Sequence, residues 1–199
     1  MREARKGMLL VVSGPSGVGK GTVSKCLADM EDIMYSVSCT TRDPRPGEVE
    51  GKDYYFVSEQ QFLQMVQEDG FLEYASVHGH YYGTPRGPVL QALERGMSVR
   101  LEIDAQGALQ VMEKMPGCVS VFILPPSYAE LRCRLEGRGT ETQEDIERRL
   151  ANARGEIAQM NRYQYLVVND DLEAAKESLL AIVKAEKQRS VRYQPIVEE

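Results

Sequence analysis

Five apolar stretches of the chain have the length and the content of β-branched residues that predict strands buried on both faces. They lie at 8–13, 35–39, 98–103, 118–124 and 165–169. Apolar residues at helical spacing predict helices at 19–30, 86–95, 105–114, 127–137, 143–160 and 171–188. Because buried strands alternate with helices, we expect an α/β fold, a five-stranded parallel sheet flanked by helices on both faces.

Residues 40–85 interrupt this alternation. They begin with "TTRDPRPGEVEGK", which is rich in proline, glycine and charge, and contain two short strand-like pieces, "DYYFV" and "FLEYASV". The pattern predicts a small mixed α/β lobe inserted into the core. A second interruption, "EGRGTETQED" at 136–145, predicts an arginine loop between two helices. Ser58, Ser127 and Thr142 each have the spacing of a capping box, which marks a helix start.

Length and composition indicate one well-buried domain. The chain has 199 residues, of which 42% are hydrophobic and 27% charged. Its apolar runs are far shorter than the ~20 residues that cross a bilayer, and the N-terminal segment does not resemble a secretory signal. The four cysteines stand singly, which predicts free thiols in a reducing compartment. We therefore expect a cytoplasmic protein with no membrane contact.

The distribution of charge favours small anionic ligands. The net charge of −6 argues against a large nucleic-acid footprint. The arginines nevertheless gather at 42 and 45, and again at 132, 134, 138, 148, 149 and 154. Local positive clusters in an acidic protein suit phosphate groups better than a polyanion. The two histidines, His78 and His80, have no third metal ligand beside them, so we predict no metal site there.

A glycine-rich segment, "SGPSGVGKGTVSK", follows the first predicted strand directly. Gly14, Gly19 and Lys20 fit the phosphate-loop pattern G-x-x-x-x-G-K-[ST], in which backbone N–H groups surround a phosphate. Gly21 stands where the pattern requires a hydroxyl, and Thr22 comes one position late. The alternative is a glycine-rich turn without a ligand, but a buried strand on one side and a helical pattern on the other favour a nucleotide triphosphate site.

Two acidic residues close the third predicted strand, in "VRLEIDAQG". Glu102 and Asp104 are two positions apart and therefore on the same face of the strand. An acid at the end of such a strand, near a phosphate loop, is typical of a position that holds Mg²⁺. We expect Glu102 to act on the metal through water, and Asp104 to lie nearer the second substrate.

Five segments in the same order resemble guanylate kinase: "SVSCTTRDPRPGEVEGKDYYFVS", "FLEYASVHGHYYGTP", "LEIDAQG", "RLEGRGTET" and "VVNDDL". The loop spelling GKGT is also known from kinases of nucleoside monophosphates. The resemblance runs from about Met8 to Glu186. It implies phosphoryl transfer from ATP to GMP, and also to dGMP, with Mg²⁺, in purine nucleotide metabolism.

The resemblance also implies a division of the chain. A guanylate kinase-like domain would span 7–187, with a P-loop kinase core at 7–37, 88–126 and 160–187. The GMP-binding lobe would be 38–87, the arginine-rich lid 127–159 and a C-terminal tail 188–199. A homo-oligomer is compatible with the sequence, which leaves the oligomeric state open.

The residues that match the family's GMP site are Ser38, Arg42, Arg45, Tyr54, Glu73, Tyr82, Thr84 and Asp104. Guanine offers N1–H and N2–H as two adjacent donors and O6 as an acceptor. A carboxylate at Glu73 can accept both donors, and the hydroxyls of Ser38 and Thr84 can donate to O6. Arg42 and Arg45 match the clamp on the GMP phosphate, assisted by the phenols of Tyr54 and Tyr82.

The residues that match the family's ATP site are Gly14, Pro15, Ser16, Gly17, Val18, Gly19, Lys20, Gly21, Thr22 and Asn169. Asn169 stands where the family meets the adenine ring. The cations that match the transfer step are Lys20, Arg42, Arg134, Arg138 and Arg149. The metal would be held by Glu102, through water, and by Thr22. Arg132, Arg148 and Arg154 are expected in surface salt bridges.

Two other functions share part of this sequence pattern. An adenylate kinase would also carry the spelling GKGT, but the glutamate in "FLEYA" and the segment "SVSCTTRDPRPG" favour guanine. A guanylate-kinase-like binding module without catalysis typically lacks an intact phosphate loop or lid arginines, and this sequence has both. An assay that compares GMP with AMP as substrate distinguishes a guanylate kinase from an adenylate kinase. ATP binding measured by calorimetry distinguishes an active kinase from a binding module without catalysis.

Overall fold

The computed structural model describes residues 3–77, 79–137 and 142–195. Its strands are β1 (Glu3–Arg5), β2 (Leu9–Ser13), β3 (Ile33–Tyr35), β4 (Cys39–Thr40), β5 (Tyr55–Phe56), β6 (Phe71–Val77), β7 (His80–Pro85), β8 (Ser98–Glu102), β9 (Val119–Leu124), β10 (Tyr165–Val168) and β11 (Tyr193–Pro195). Its α-helices are α1 (Lys20–Ser24), α2 (Glu59–Gln67), α3 (Arg86–Glu94), α4 (Ala105–Lys114), α5 (Tyr128–Glu136), α6 (Gln143–Ile157) and α7 (Leu172–Lys187).

A five-stranded parallel sheet forms the centre of the fold, in the order β10-β9-β2-β8-β3. Side chains alternate across it, so that Val11 faces one apolar cluster and Val12 the other. Helices α3 and α4 cover the first cluster, and α1 and α7 cover the second. The predicted α/β fold is therefore confirmed. Because the strands are parallel, their carboxyl ends meet at one edge, where such folds bind ligands.

Two predicted elements differ most from the observed ones, and the helix expected at 143–160 also ends early, at Ile157. The expected strand 35–39 is wrong: β3 is Ile33–Tyr35, and Cys39–Thr40 pairs instead with β5 and β7. The expected helix 19–30 is also too long, since α1 ends at Ser24 and a 3₁₀ turn, Lys25–Leu27, follows. The hydroxyl of Ser24 donates to the carbonyl of Lys20 at 2.9 Å, a bond that weakens a helical turn.

The inserted lobe is a four-stranded mixed sheet, in the order β5-β4-β7-β6, covered by α2. Helix α2 begins with the predicted capping box of Ser58 and Gln61. Phe62 and Phe71, stacked with their ring centroids 4.4 Å apart, form the centre of the lobe's own apolar cluster. The amide of Gln110 in α4 bonds both the N–H and the carbonyl of Tyr74, which fixes β6 on the core.

Helices α5 and α6, which belong to the predicted lid, have the apolar cluster of Leu131, Leu135, Ile146, Leu150 and Ala153 between them. The predicted caps are present, since the side chain of Ser127 accepts from the N–H of Glu130, and that of Thr142 from the N–H of Asp145. No helix within 3–77, 79–137 and 142–195 has both the length and the hydrophobicity to cross a membrane.

The two ends of the described chain pair with each other, which the sequence did not predict. Strand β1 runs antiparallel to β11 as a separate two-stranded sheet. Arg192, 8% exposed, lies beside Glu186, which is 3% exposed, with Nη1 2.5 Å from the carboxylate. The phenol of Tyr165 donates to the same carboxylate at 2.6 Å. Residues after α7 are thus held to the core by a buried ion pair.

Replacing one member of this pair should destabilise the fold. Glu186→Gln leaves the Arg192 charge buried without its counter-ion, so we expect the free energy of unfolding to fall by about 3 kcal/mol. The matched control is Glu173→Gln, because the side chain of Glu173 is 75% exposed and its ion pair with Lys176 lies on the surface. That change should cost less than about 1 kcal/mol. Urea unfolding at pH 7 measures both, and equal losses would contradict the prediction.

Candidate active site

The phosphate loop lies between β2 and α1, at the carboxyl edge of the central sheet. Gly14, Gly17 and Gly19 have φ values of 144°, 87° and 92°, a region that glycine adopts without strain. A Cβ atom at Gly17 would lie 2.7 Å from the side chain of Leu135, and one at Gly19 would lie 2.8 Å from that of Asn169. The loop is therefore closely packed on both sides, and the glycines are required for its shape.

Three side chains hold the loop. The ammonium of Lys20 donates to the carbonyls of Gly14 at 2.7 Å and of Pro15 at 3.3 Å. Arg149 donates from α6 to the hydroxyl of Ser16 at 2.8 Å, which brings a predicted lid cation onto the loop. Asn169, 6% exposed, donates to the carbonyl of Val18 at 2.8 Å. Asn169 thus stabilises the backbone of the phosphate loop through a buried hydrogen bond.

Gly21, where the phosphate-loop pattern has a hydroxyl, lies close to Glu102. A Cβ atom at Gly21 would lie 3.2 Å from Oε2 of Glu102, and Thr22 is exposed. The other carboxylate oxygen of Glu102 lies 3.3 Å from the guanidinium of Arg100. Glutamate is one methylene longer than aspartate, so its carboxylate reaches close to position 21, and a side chain there would require Glu102 to shift by a few tenths of an ångström. The sequence alone does not connect these two departures from the family pattern.

Two neighbouring cavities open at this edge of the sheet. The larger, about 910 Å³, lies between the phosphate loop and α6, and it is lined by Lys20, Arg149 and Asp104 among others. The smaller, about 210 Å³, lies under the lobe. Predicted residues that line it are Ser38, Tyr54, Glu73, Tyr82, Glu102 and Asp104. Asp104 borders both cavities, so members of the two predicted sets lie near each other. Arg42, Arg45, Thr84, Thr22 and Asn169 do not line either cavity.

Glu73 lies on β6 and is only 5% exposed. The hydroxyl of Thr84 on β7 donates to its Oε1 at 2.6 Å. A Cβ atom at Gly107 in α4 would lie 2.6 Å from its Oε2, so this glycine leaves room for the carboxylate. Burial raises the pKa of Glu73 to about 7, and the charge of Asp104 adds to the rise while the bond from Thr84 opposes it.

Arg42 is held on three sides. Its Nε donates to the phenol of Tyr82 at 3.3 Å, its Nη1 to the carbonyl of Asp43 at 2.6 Å, and its Nη2 to Glu48 at 2.9 Å. The hydrogen bond with Glu48 raises the pKa of Arg42 and lowers that of Glu48. The ring of Tyr54 lies 5.7 Å from the guanidinium. Arg45 lies in the exposed segment 43–47 that follows Arg42.

The remaining arginines are distributed as follows. Arg134 donates to Glu130 on its own helix at 2.8 Å. Arg132 and Arg148 form the expected surface pairs, with Glu147 and Asp145. The guanidinium of Arg154 lies 5.7 Å from the ring centroid of Tyr128. Arg138 and His78 lie outside the described residues.

Three further residues support the candidate site and were not predicted from the sequence. Glu48 follows a Pro–Gly dipeptide, a turn signal that could have drawn attention to it. Gly107 lies within the segment "LEIDAQG", but the reason for a glycine in this helix is evident only from its contact with Glu73. Glu156 lines the larger cavity with one carboxylate oxygen buried and unpaired. Burial raises the pKa of Glu156, and the charge of Lys20 opposes that rise.

Chemically, the site combines a cradle for phosphates with a polar pocket for a planar ring. A flexible cation and an arginine lie on the loop, so that negative charge in the larger cavity is met by Lys20 and Arg149. A buried carboxylate lines the smaller cavity and suits a ligand with paired N–H donors. The arrangement is suited to transfer between two anionic substrates that meet at Asp104.

Comparisons with known proteins agree on one family. The guanylate kinase family model matches residues 6–186. A guanylate kinase of Caldanaerobacter subterraneus subsp. tengcongensis is 53% identical over 186 residues, which cover 93% of this chain and 90% of the relative. One from Thermus thermophilus is 53% identical over 187 residues, 94% of this chain and 85% of the relative.

A solved structure gives the same result. The crystal structure of guanylate kinase from Anaplasma phagocytophilum superimposes with a TM-score of 0.79 at 39% sequence identity. The superposition covers 96% of this chain and 92% of that one.

The environment of Glu73 predicts a pH-dependent effect on stability. A carboxyl whose folded pKa is raised favours the folded state only while it is protonated, and it opposes folding increasingly as pH rises from its unfolded value through about 7. Glu73→Gln removes this titration. Relative to the unchanged protein, the variant should be about as stable at pH 5 and more stable by up to about 3 kcal/mol at pH 9.

Urea unfolding at pH 5 and pH 9 measures this difference. The matched control is Glu68→Gln, because Glu68 is an exposed carboxylate of the same lobe. Its effect should be the same at both pH values. A difference for Glu73→Gln that does not grow with pH would contradict the assigned burial.

Proposed function

This chain belongs to the guanylate kinase family, and we propose that the two cavities at the carboxyl edge of its sheet are where that family's reaction takes place. The enzyme transfers the γ-phosphoryl group of ATP to GMP, giving ADP and GDP. The observation that carries the proposed site is the position of Asp104, which borders both the phosphate-loop cavity and the pocket that contains Glu73.

In the proposed site, Glu73 recognises guanine. Its ionised carboxylate accepts N1–H and N2–H, and Ser38 donates to O6. Thr84 was also expected to donate to O6, but in this structure its hydroxyl donates to Glu73 at 2.6 Å and so orients the acid. Adenine would place the lone pair of its N1 against the same carboxylate. A buried polar site rejects such a misfit strongly, because its own groups are left unpaired.

The GMP phosphate is assigned to polar side chains beside the smaller cavity, where Arg42 contacts the lining residues Tyr54 and Tyr82. Arg42 and Arg45 supply the positive charge, and the phenols of Tyr54 and Tyr82 donate hydrogen bonds. The rings of Tyr54 and Tyr82 pack edge to face with centroids 5.9 Å apart, which supports a shared position for their hydroxyls. Charge-assisted bonds from arginine are among the strongest that a phosphate receives.

The triphosphate of ATP is assigned to the loop. Its backbone N–H groups surround the phosphates, and Lys20 exchanges its bonds with the loop carbonyls for bonds with phosphate oxygens. Arg149, Arg134 and Arg138 of the lid complete the positive charge around the transferred group. Because phosphoryl transfer depends mainly on alignment and neutralisation of charge, these cations carry the catalysis. Closing the lid, proposed as 127–159, would exclude water as a competing acceptor.

Magnesium fits the carboxylates on this edge of the sheet. Mg²⁺ prefers oxygen ligands and keeps several waters. Glu102 directs a carboxylate oxygen toward Gly21, and the Thr22 hydroxyl stands one position further along the helix. We assign the metal to Glu102 through water and to Thr22. When bound with ATP, it supplies positive charge to the β- and γ-phosphates.

Substrate comparison tests the proposed function. A coupled assay of ADP release should show kcat/KM for GMP exceeding that for AMP by ~10⁴ or more. Glu73→Gln should lower kcat/KM for GMP by ~10²-fold and leave the KM for ATP unchanged, because one buried hydrogen bond is lost and the ring is misaligned. Glu68→Gln is the matched control. Turnover of AMP with little on GMP would refute the proposal.

Gly107→Ala tests whether the space beside α4 fixes the position of the Glu73 carboxylate. The added methyl would lie 2.6 Å from the Glu73 carboxylate, so the acid must move. We expect KM for GMP to rise by about tenfold or more, as expected for a displaced buried contact. Gly87→Ala in α3 is the control, because no atom lies within 4 Å of the added group. Equal KM values in the two variants would show that the carboxylate adapts freely.

A further inference from the structure

We infer that Glu48 is a positioning residue that holds both arginines of the phosphate clamp in place before GMP binds. This inference rests on the proposed assignment of Arg42 and Arg45 to the GMP phosphate. Glu48 itself is not proposed to touch the substrate.

The backbone places Glu48 at the end of a tight turn. The N–H of Glu48 donates to the carbonyl of Arg45 at 3.0 Å. Pro46 and Gly47 are the two central residues, and Gly47 has φ of 90°. Proline followed by glycine with positive φ is the signature of a type II turn. Pro46 has a restricted φ and Gly47 adopts its positive φ without strain, so the turn brings the backbone of Glu48 next to that of Arg45.

The carboxylate of Glu48 reaches both arginines. Its two oxygens accept from Nη2 of Arg42 at 2.9 and 3.0 Å. One of them also accepts from the backbone N–H of Arg45 at 2.8 Å. Residues 43–47 are all exposed, so no apolar core holds this segment. Its shape depends on such polar contacts, and Glu48 joins the side chain of one arginine to the backbone of the other.

The contacts leave Arg42 pre-organised. Arg42 and Glu48 are 12% and 20% exposed at their side chains, while Tyr82 and the carbonyl of Asp43 hold the other nitrogens. A long side chain fixed in advance loses less conformational freedom when its ligand arrives. An arginine has five N–H donors, and these contacts use four at most. A phosphate can therefore bind Arg42 while Glu48 stays where it is.

An opposite interpretation is that Glu48 occupies the place of the phosphate and competes with it. The turn argues against this, because leaving would break the bonds to Arg42 and to the N–H of Arg45 together. The two interpretations predict opposite changes in affinity for GMP. Removing a positioning residue weakens GMP binding, and removing a competitor strengthens it.

The test is Glu48→Gln with Asp43→Asn as the matched control. Asp43 lies in the same exposed segment and carries the same charge, but it contacts Arg42 only through its backbone carbonyl. Steady-state kinetics of Glu48→Gln should show KM for GMP raised roughly tenfold, as for the loss of a charged hydrogen bond. The KM for ATP, and the midpoint of thermal unfolding, should not change. Asp43→Asn should stay within about twofold of the unchanged enzyme.

A double variant tests whether Glu48 acts through Arg42. Arg42→Gln alone should raise KM for GMP, and adding Glu48→Gln should then raise it by less than about threefold. If the fold-changes in KM for GMP of the two single variants multiply in the double variant, the inference is wrong. An unchanged or lowered KM for GMP in the single Glu48 variant would also overturn it. These outcomes leave the proposed function intact, which fails instead if the unchanged enzyme does not phosphorylate GMP.

Discussion

The burial of one carboxylate constrains the architecture around the smaller cavity. An acid that is 5% exposed is tolerated only where hydrogen bonds and space are supplied for it. Thr84 supplies the bond from the neighbouring strand, and Gly107 supplies the space from α4. Asp104, which caps α4 by accepting from the N–H of Gly107 at 2.7 Å, places a second acid close by. Lobe and core must therefore meet in one arrangement, because each contributes part of this environment.

Local sequence patterns predicted most of the fold. The buried strand at 118–124 and the helix at 105–114 were found almost as the structure has them, because periodicity and burial agree there. The segment at 35–39 was misplaced because its small residues suit either sheet, and only the pairing with β7 decides. The pairing of β1 with β11 joins the two ends of the described chain, and no local pattern reports such a contact.

The sequence suggested candidate site residues but not the side chains that support them. Glu73 and Arg42 were named because the segments that contain them resemble guanylate kinase, and Lys20 because it fits the phosphate-loop pattern. The closeness of Gly21 to Glu102 required distances, since neither residue alone shows that a side chain at position 21 would crowd the carboxylate. Glu48 was missed for the same reason, because a carboxylate that serves two arginines resembles any surface acid until its partners are known.

The contacts that hold the phosphate loop have a consequence for how the protein is made. Ser16 meets Arg149 across 133 residues of chain, and Val18 meets Asn169 across 151. Contacts so distant in sequence form late, because the intervening chain must first be brought together. During synthesis on the ribosome, the segment that contains Ser16 and Val18 emerges long before Arg149 and Asn169. The contacts that hold the nucleotide cradle can therefore be completed only after residue 169 has been synthesised.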